Sequence, residues 1–228
     1  MAKAARAAVA EPDMTGAREA VEIDDVDDDT QLDGVTIGPG VAVGRTIRSL
    51  VLERATVTGV RLAGATLEGP ELIDVVFEDC DLAGTTFIQA TMRRVELRRC
   101  RLSGVVAADL VATDLSITDC RADEIWLRAS RLDRCSLSGC NLAGSDWYGA
   151  RVARSRIVGC DLDGAELSAI ELDDVALHGT SLRGAGGLAA LRNVVIDSGQ
   201  LVELAVPVLA ALGIHVDDDP DGDDSGDA

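Results

Sequence analysis

Five cysteines, Cys80, Cys100, Cys120, Cys140 and Cys160, recur every twenty residues, and a sixth, Cys135, stands off that series. A regular series of thiols suggests two chemistries, a redox ladder or a string of zinc sites. Zinc needs ligands converging on one point, commonly Cys with His. The chain has only two histidines, His178 and His215, and none of the paired zinc-ligand spacings. Other reactive groups are as sparse. Asp173 and Asp174 are adjacent carboxylates, but there is no nucleophile elbow, no glycine-rich phosphate loop leading into a helix and no HExxH. These residues predict a chain that is not an enzyme and that uses no metal and no cofactor.

The twenty-residue spacing is four steps of a shorter one. From Leu52 to Leu182, each of 27 positions five residues apart is apolar, without an insertion. A second row, two residues earlier, runs from Leu50 to Thr180 and is mostly small or apolar; all six cysteines lie on it. The other three positions of each pentad hold nearly all the Asp, Glu, Arg and Gly. A period of five with two apolar positions fits neither an α-helix nor an alternating strand. Repetition of so short a unit marks a solenoid. The pentads "CDLAG" at 80, "CNLAG" at 140 and "CDLDG" at 160 resemble the pentapeptide repeat family, and the resemblance covers residues 47–187. It implies an all-β fold, a right-handed quadrilateral β-helix with four pentads per coil, both apolar rows inward and about seven coils.

On that architecture residues twenty apart stack, so the cysteines form a column beside a column of Leu62, Leu82, Leu102, Ala122, Leu142, Leu162 and Leu182. Stacked coils lie about 4.8 Å apart with side chains parallel, whereas a disulfide wants Cβ atoms at about 3.8 Å and a turned dihedral. The cysteines therefore read as packing in a slot too tight for Leu.

Composition agrees. Hydrophobic residues make up 47% of the chain but aromatics only 2%, which suits a narrow interior filled by Leu, Val, Ala and Cys. The net charge of −19 is concentrated at the ends. Residues 1–40 hold ten acids against three bases, and residues 217–228 hold seven acids and no base. Both segments are expected to be acidic disordered tails. Between them lie the β-helix, residues 41–187, and a C-terminal cap, residues 188–216. No apolar run approaches a membrane span, and no secretory signal is read at the start; a cytoplasmic protein is expected.

Three places depart from the pattern. At 105–125 bulk changes rows: Ala107, Ala112 and Ala122 replace Leu while Leu110 and Leu115 occupy the small row. Either the coil continues with a risk of cavity or kink, or the frame shifts near 108–110. Trp147 stands on the inward row and must bend outward or swell the coil. After residue 187 a helix is expected, capped by Ser198 and kinked or restarted near Pro207. Its Leu201, Leu204, Val208, Leu209 and Leu212 can hide the last coil's open core and, as in several members of the family it resembles, form a homodimer.

The outward columns carry whatever the rod presents. One face bears Ile88, Val106, Trp126 and Tyr148, with Arg128 and Asp146 among them. Arg128 should lie one coil from Tyr148 and stack on its ring; exposed Trp and Tyr serve as contact anchors. Elsewhere Arg93, Arg94, Arg98, Arg99 and Arg101 face acids on neighbouring coils, which predicts cross-strand charge pairing. An acidic chain is a poor binder of nucleic acid. The expectation is a non-enzymatic scaffold, a rigid rod presenting flat faces to a protein partner. The alternative, implied by the resemblance, is a DNA-mimicking binder of DNA gyrase that inhibits it or protects it from quinolones.

Overall fold

The two inward rows are the core of the molecule, a computed structural model that describes residues 8–16 and 18–214. From 52 to 182 every residue of the first row is buried except Leu172, which is half-buried. The second row is buried throughout from Leu50 to Thr180. Strands Val51–Thr58, Glu71–Glu78, Thr91–Arg98 and Val111–Thr118 pair in parallel at an offset of one coil, as Leu52↔Leu72, Met92↔Leu72 and Met92↔Ala112 show. Two more faces carry the ladders Arg61↔Asp81↔Arg101↔Arg121 and Thr86↔Val106↔Trp126↔Asp146. The result is a four-sided parallel β-solenoid of about nine turns, roughly 43 Å long at the ordinary strand spacing.

The corners explain the glycines. Every fifth residue from Gly44 to Gly184 has a positive φ, a conformation that is free for Gly and costs other L-residues about 1–2 kcal/mol. Asp, Arg and Ala nevertheless fill many corners, as at Asp74 (φ 57°), Arg94 (φ 53°) and Ala129 (φ 54°).

The extra turns come from the N-terminal side. Residues 18–40 are not part of a disordered tail. Gln31–Asp33 and Val35–Ile37 both pair with Val51–Thr58, and Glu19–Val21 pairs with Val35–Ile37. The acids of this segment point outward or lie in turns, while Ile37, Ala42 and Ile47 extend the buried row upstream. Ile23 and Val26 plug the open end, so close to the first turn that a Cβ on Gly40 would lie 2.2 Å from Ile23 Cγ2. Arg45, on a row otherwise small or apolar, donates to the carbonyls of Ile23 (3.2 Å) and Val26 (2.7 Å) and closes that end with charge-assisted hydrogen bonds.

Across 105–125 the frame does not shift, since Thr91↔Val111 and Val106↔Trp126 keep the twenty-residue offset. Leu110 and Leu115 are buried with Ala107, Ala112 and Ala122, so the rows exchange bulk within an unbroken ladder. A cavity of about 40 Å³ remains, bordered by Phe87, Ala107, Leu115 and Ile125. Trp147 points inward, 1% exposed, and its Nε1 donates to Ser145 Oγ at 2.7 Å. A large residue on one row is met by a small one on the other.

The C-terminal end closes by a different device. Gly186 keeps the register opposite Glu166, but Val194 pairs with Val175, one residue short of a full coil. The deletion follows Gly187, where a Cβ would meet Ser168 N at 2.3 Å. A single helix, α1 (Gln200–Ala211), follows and runs through Pro207 without restarting. Its start is set by Asp197 rather than Ser198. Asp197 Oδ1 accepts from Gln200 N (3.2 Å) and Gln200 Oε1 accepts from Asp197 N (2.9 Å), a reciprocal capping box. Residues 217–228, expected to be an acidic tail, lie outside the described residues. Among the described residues no helix is long and apolar enough to cross a membrane.

Candidate interaction face

Trp126, Arg128, Asp146 and Tyr148 form a square on two adjacent coils. Trp126 and Asp146 are bridge partners, and Arg128 and Tyr148 stand two residues further on, in the turns that follow. Arg128 lies over both rings, 5.5 Å from the Trp126 centroid and 5.9 Å from that of Tyr148. Its Nε donates to Asp146 Oδ2 at 2.6 Å, and Asp146 Oδ1 accepts from Tyr148 N at 3.0 Å. Asp146 is thereby buried while Trp126 and Tyr148 remain 48% and 52% exposed. Ile88 is exposed further along the face, and Val106 between them is half-buried. The contacts join Trp126, Arg128, Asp146 and Tyr148; Val106 is the ladder neighbour of Trp126, and Ile88 stands two coils from Arg128 in the same column. The structure also fixes something the columns leave open: the charge of Arg128 is answered on the rod itself.

The cysteine column lies inside the rod. All six thiols are free and buried, and no group of three or more His, Cys, Asp or Glu among the described residues is placed to hold a metal. Their polarity still has a use. Cys80 and Cys120 Sγ lie 3.4 and 3.5 Å from the carbonyls of Val57 and Leu97 on the preceding coil. Thr85 and Ser130 hydroxyls make the equivalent bonds to Leu62 and Ala107, each at 2.9 Å. Cys, Ser and Thr are interchangeable there because each is small and can donate to that carbonyl. Burial pushes the Cys135 thiol up to about 12; the neighbouring Cys120 thiol and burial push Cys100 up to about 12 as well.

Three of the five clustered arginines pair with the coil before them, while Arg98 pairs with Glu96 on its own strand and Arg93 makes no ion pair among the described residues. Arg94 meets Asp74, Arg99 meets Asp79 and Glu78, and Arg101 meets Asp81. Further along, Arg134 meets Asp114 and Arg183 meets Asp163. Pairs one coil apart place opposite charges on stacked residues, each worth less than about 1 kcal/mol where exposed.

The C-terminal candidates divide. Leu204 is buried, with Val208 and Leu209 half-buried, so these residues cap the last coil. Leu201 and Leu212 face outward, joined by two residues not singled out from sequence, Val202 (86% exposed) and Val206 (67% exposed). Their i, i+4 spacing was the available signal, obscured because α1 is apolar on nearly every side.

The profile of the pentapeptide repeat family matches eight copies, over residues 71–106 and 130–168. The chain carries pentapeptide repeats in these two blocks. The gap between the two matched blocks coincides with the stretch where Leu and Ala exchange rows, so the motif lapses there while the coil does not. No curated protein matches this sequence. Similar solved structures include a trypsin-treated variant of QnrB1, described as a plasmid-mediated fluoroquinolone resistance protein. It has a TM-score of 0.49 and 19% identity, covering 89% of this chain and 100% of that one. HetL from the cyanobacterium Nostoc sp. strain PCC 7120, a pentapeptide repeat protein involved in heterocyst differentiation regulation, has a TM-score of 0.30 and 16% identity, covering 73% and 87%. Rfr23 from the cyanobacterium Cyanothece 51142 has a TM-score of 0.20 and 16% identity, covering 69% and 91%.

Proposed function

We propose that this protein is a non-enzymatic scaffold that docks a protein partner on the face of Ile88, Val106, Trp126 and Tyr148. The observation that carries the reading is the Trp126–Arg128–Tyr148 stack pinned by Asp146. Two exposed rings are held rigid by the guanidinium between them, so a partner meets aromatic surface whose side-chain freedom is already spent. Aromatic and Arg side chains dominate the energetics of protein interfaces. The rod supplies what such an anchor needs, a flat support that does not rearrange.

The experiment is affinity capture with the wild type and a Trp126→Ala/Tyr148→Ala variant side by side. A partner retained by the first and depleted at least about tenfold on the second supports the reading. An identical set of captured proteins on both sinks it.

The alternative is a DNA mimic that binds gyrase in the cytoplasm, dimerised through the outward strip of α1. The net charge of −19 favours it. Against it, repeat-region acids such as Asp74, Asp114 and Asp163 are answered by arginines one coil away. A supercoiling titration with and without a fluoroquinolone separates the two. Inhibition or protection at low micromolar protein moves the partner to gyrase, and no effect at large molar excess removes it.

A further inference from the structure

On the side of the rod opposite Trp126, two pentads away in a four-pentad coil, a segment of the chain lies along the outside of the repeat. Residues 8–16 run lengthwise over several coils before the chain enters its first strand, with Val9, Pro12 and Met14 half-buried against the face. Two main-chain contacts hold them. Ala10 N donates to Asp114 Oδ1 at 3.1 Å, and Asp13 N donates to Asp74 Oδ1 at 2.9 Å.

Both acceptors are built alike. Asp74 and Asp114 occupy the same corner two coils apart, each held by the arginine one coil further on. Arg94 Nε and a terminal nitrogen reach the two oxygens of Asp74 at 2.5 and 2.6 Å. Arg134 does the same to Asp114 at 2.9 and 2.7 Å. Each carboxylate is more than nine-tenths buried and is left with Oδ1 able to accept one further bond. The corner column reads Arg54, Asp74, Arg94, Asp114, Arg134, Arg154, Asp174, so the alternation that creates these stations ends at Arg154.

The spacing matches an extended chain. Two coils are about 9.6 Å, and three residues of extended backbone are about 10 Å. A segment with three residues per turn, as in polyproline II at about 9.3 Å for three residues, points donors at i and i+3 the same way and reaches both stations. Beside the corner the face is lined by Val95, Glu96, Ser116, Ser136 and Arg156, and about 110 Å³ of space remains between them and the segment. The short serines leave a polar trough that the segment's own side chains do not fill.

We propose that this face is a binding groove for an extended peptide, read through main-chain N–H groups at i and i+3, and that residues 8–16 are its resident occupant in cis. The ligand class is an extended segment with small or apolar side chains toward the groove and a residue between the donors that needs no N–H, the place held here by Pro12. Such a segment gains affinity from two charge-assisted hydrogen bonds, as in strand-addition modes of recognition. The arm keeps the groove covered until a competing segment displaces it. This inference is independent of the Trp126 face.

The test deletes the donors and leaves the rod untouched. Full-length protein carrying Ala10→Pro and Asp13→Pro loses both N–H groups from the arm. A fluorescein-labelled peptide of residues 8–16 is then titrated against this variant and the wild type. The peptide should bind the variant at least about tenfold more tightly than the wild type, whose groove is filled. Binding should be lost when the peptide itself carries the two prolines, and should fall about tenfold with Asp114→Ala in the variant. Hydrogen exchange on the wild type should show slowed amides at Ala10 and Asp13. No binding to the variant at millimolar peptide overturns the proposal and leaves the arm a fixed part of the rod. A wild-type dimer that the prolines dissociate overturns the cis assignment, since a second copy's arm would then fill the groove.

Discussion

Gln200 closes the rod by donating from Nε2 to the main-chain carbonyl of Leu177 at 2.6 Å, and to that of Thr180 at 2.7 Å. The last coil has no successor to accept these two bonds from, so one buried amide does the work of a missing strand. The same residue completes the capping box of α1, which couples the seating of the helix to the closing of the coil. Gln200→Leu keeps the volume but removes both bonds, leaving the Thr180 carbonyl without its donor and that of Leu177 with only the longer bond from Thr180 N. The expected loss is about 1–3 kcal/mol, confined to the C-terminal coils. Hydrogen exchange at 175–195 should accelerate well before global unfolding; unchanged exchange there would show that the helix seats by apolar contact alone.

The exchange of bulk near 105–125 leaves unfilled volume. Ala107→Val adds two methyl groups beside the 40 Å³ cavity and should stabilise the rod by about 1 kcal/mol. Leu115→Ala enlarges the same space and should cost about 2–5 kcal/mol. Denaturant midpoints at constant m-value measure both. Destabilisation by both changes would mean that the apparent space is not accessible to a side chain.

Corner strain is predicted to be recoverable. Ala129 holds a φ of 54° at an exposed corner and makes no side-chain hydrogen bond that a glycine would lose. Ala129→Gly should raise stability by up to about 1 kcal/mol, the relief of the left-handed conformation less the added freedom of the unfolded chain. Gly64→Ala (φ 67°) should do the reverse. Thermal unfolding of the two variants decides, and equal midpoints would refute the strain.

Alkaline pH should unfold the protein through its thiols. Cys135 ionises near 9.0 in an ordinary environment and at about 12 when buried in the rod. The folded state thus binds the proton more tightly than the unfolded one. That contribution is fully present below about pH 9 and is lost as pH rises toward 12. A urea midpoint that falls over this window, less steeply in Cys135→Ser, is the expected result. Below pH 9 the native thiols should resist a thiol reagent that labels all six after unfolding. Fast labelling of the native protein would contradict the closed core.

Much of this was legible in the residues themselves. The in-frame apolar row, the small row and the glycine corners specify a coil because each coil is the template for the next, and repetition makes a weak local preference unmistakable. The Arg128 stack was legible for the same reason, since the twenty-residue period places Tyr148 beside it. The acids of 18–40 were misleading. Their charge suggests disorder, yet the row beneath them, Leu32, Ile37, Ala42 and Ile47, keeps the period and is what the fold obeys.

The sequence alone determines the solenoid: its period, its inward rows, the stacking of its cysteines and the face on which Trp126 and Tyr148 stand. Only the tertiary structure decides how the rod ends and what lies along it. Arg45 on the carbonyls of Ile23 and Val26, Gln200 on those of Leu177 and Thr180, and Ala10 on Asp114 are made by residue types or segments outside the pentad pattern. The pattern of small and apolar residues does not announce them. The first two exist because a chain that stacks similar coils must still satisfy the hydrogen bonds of a first and a last one, and the third because a segment outside the repeat is laid along its face.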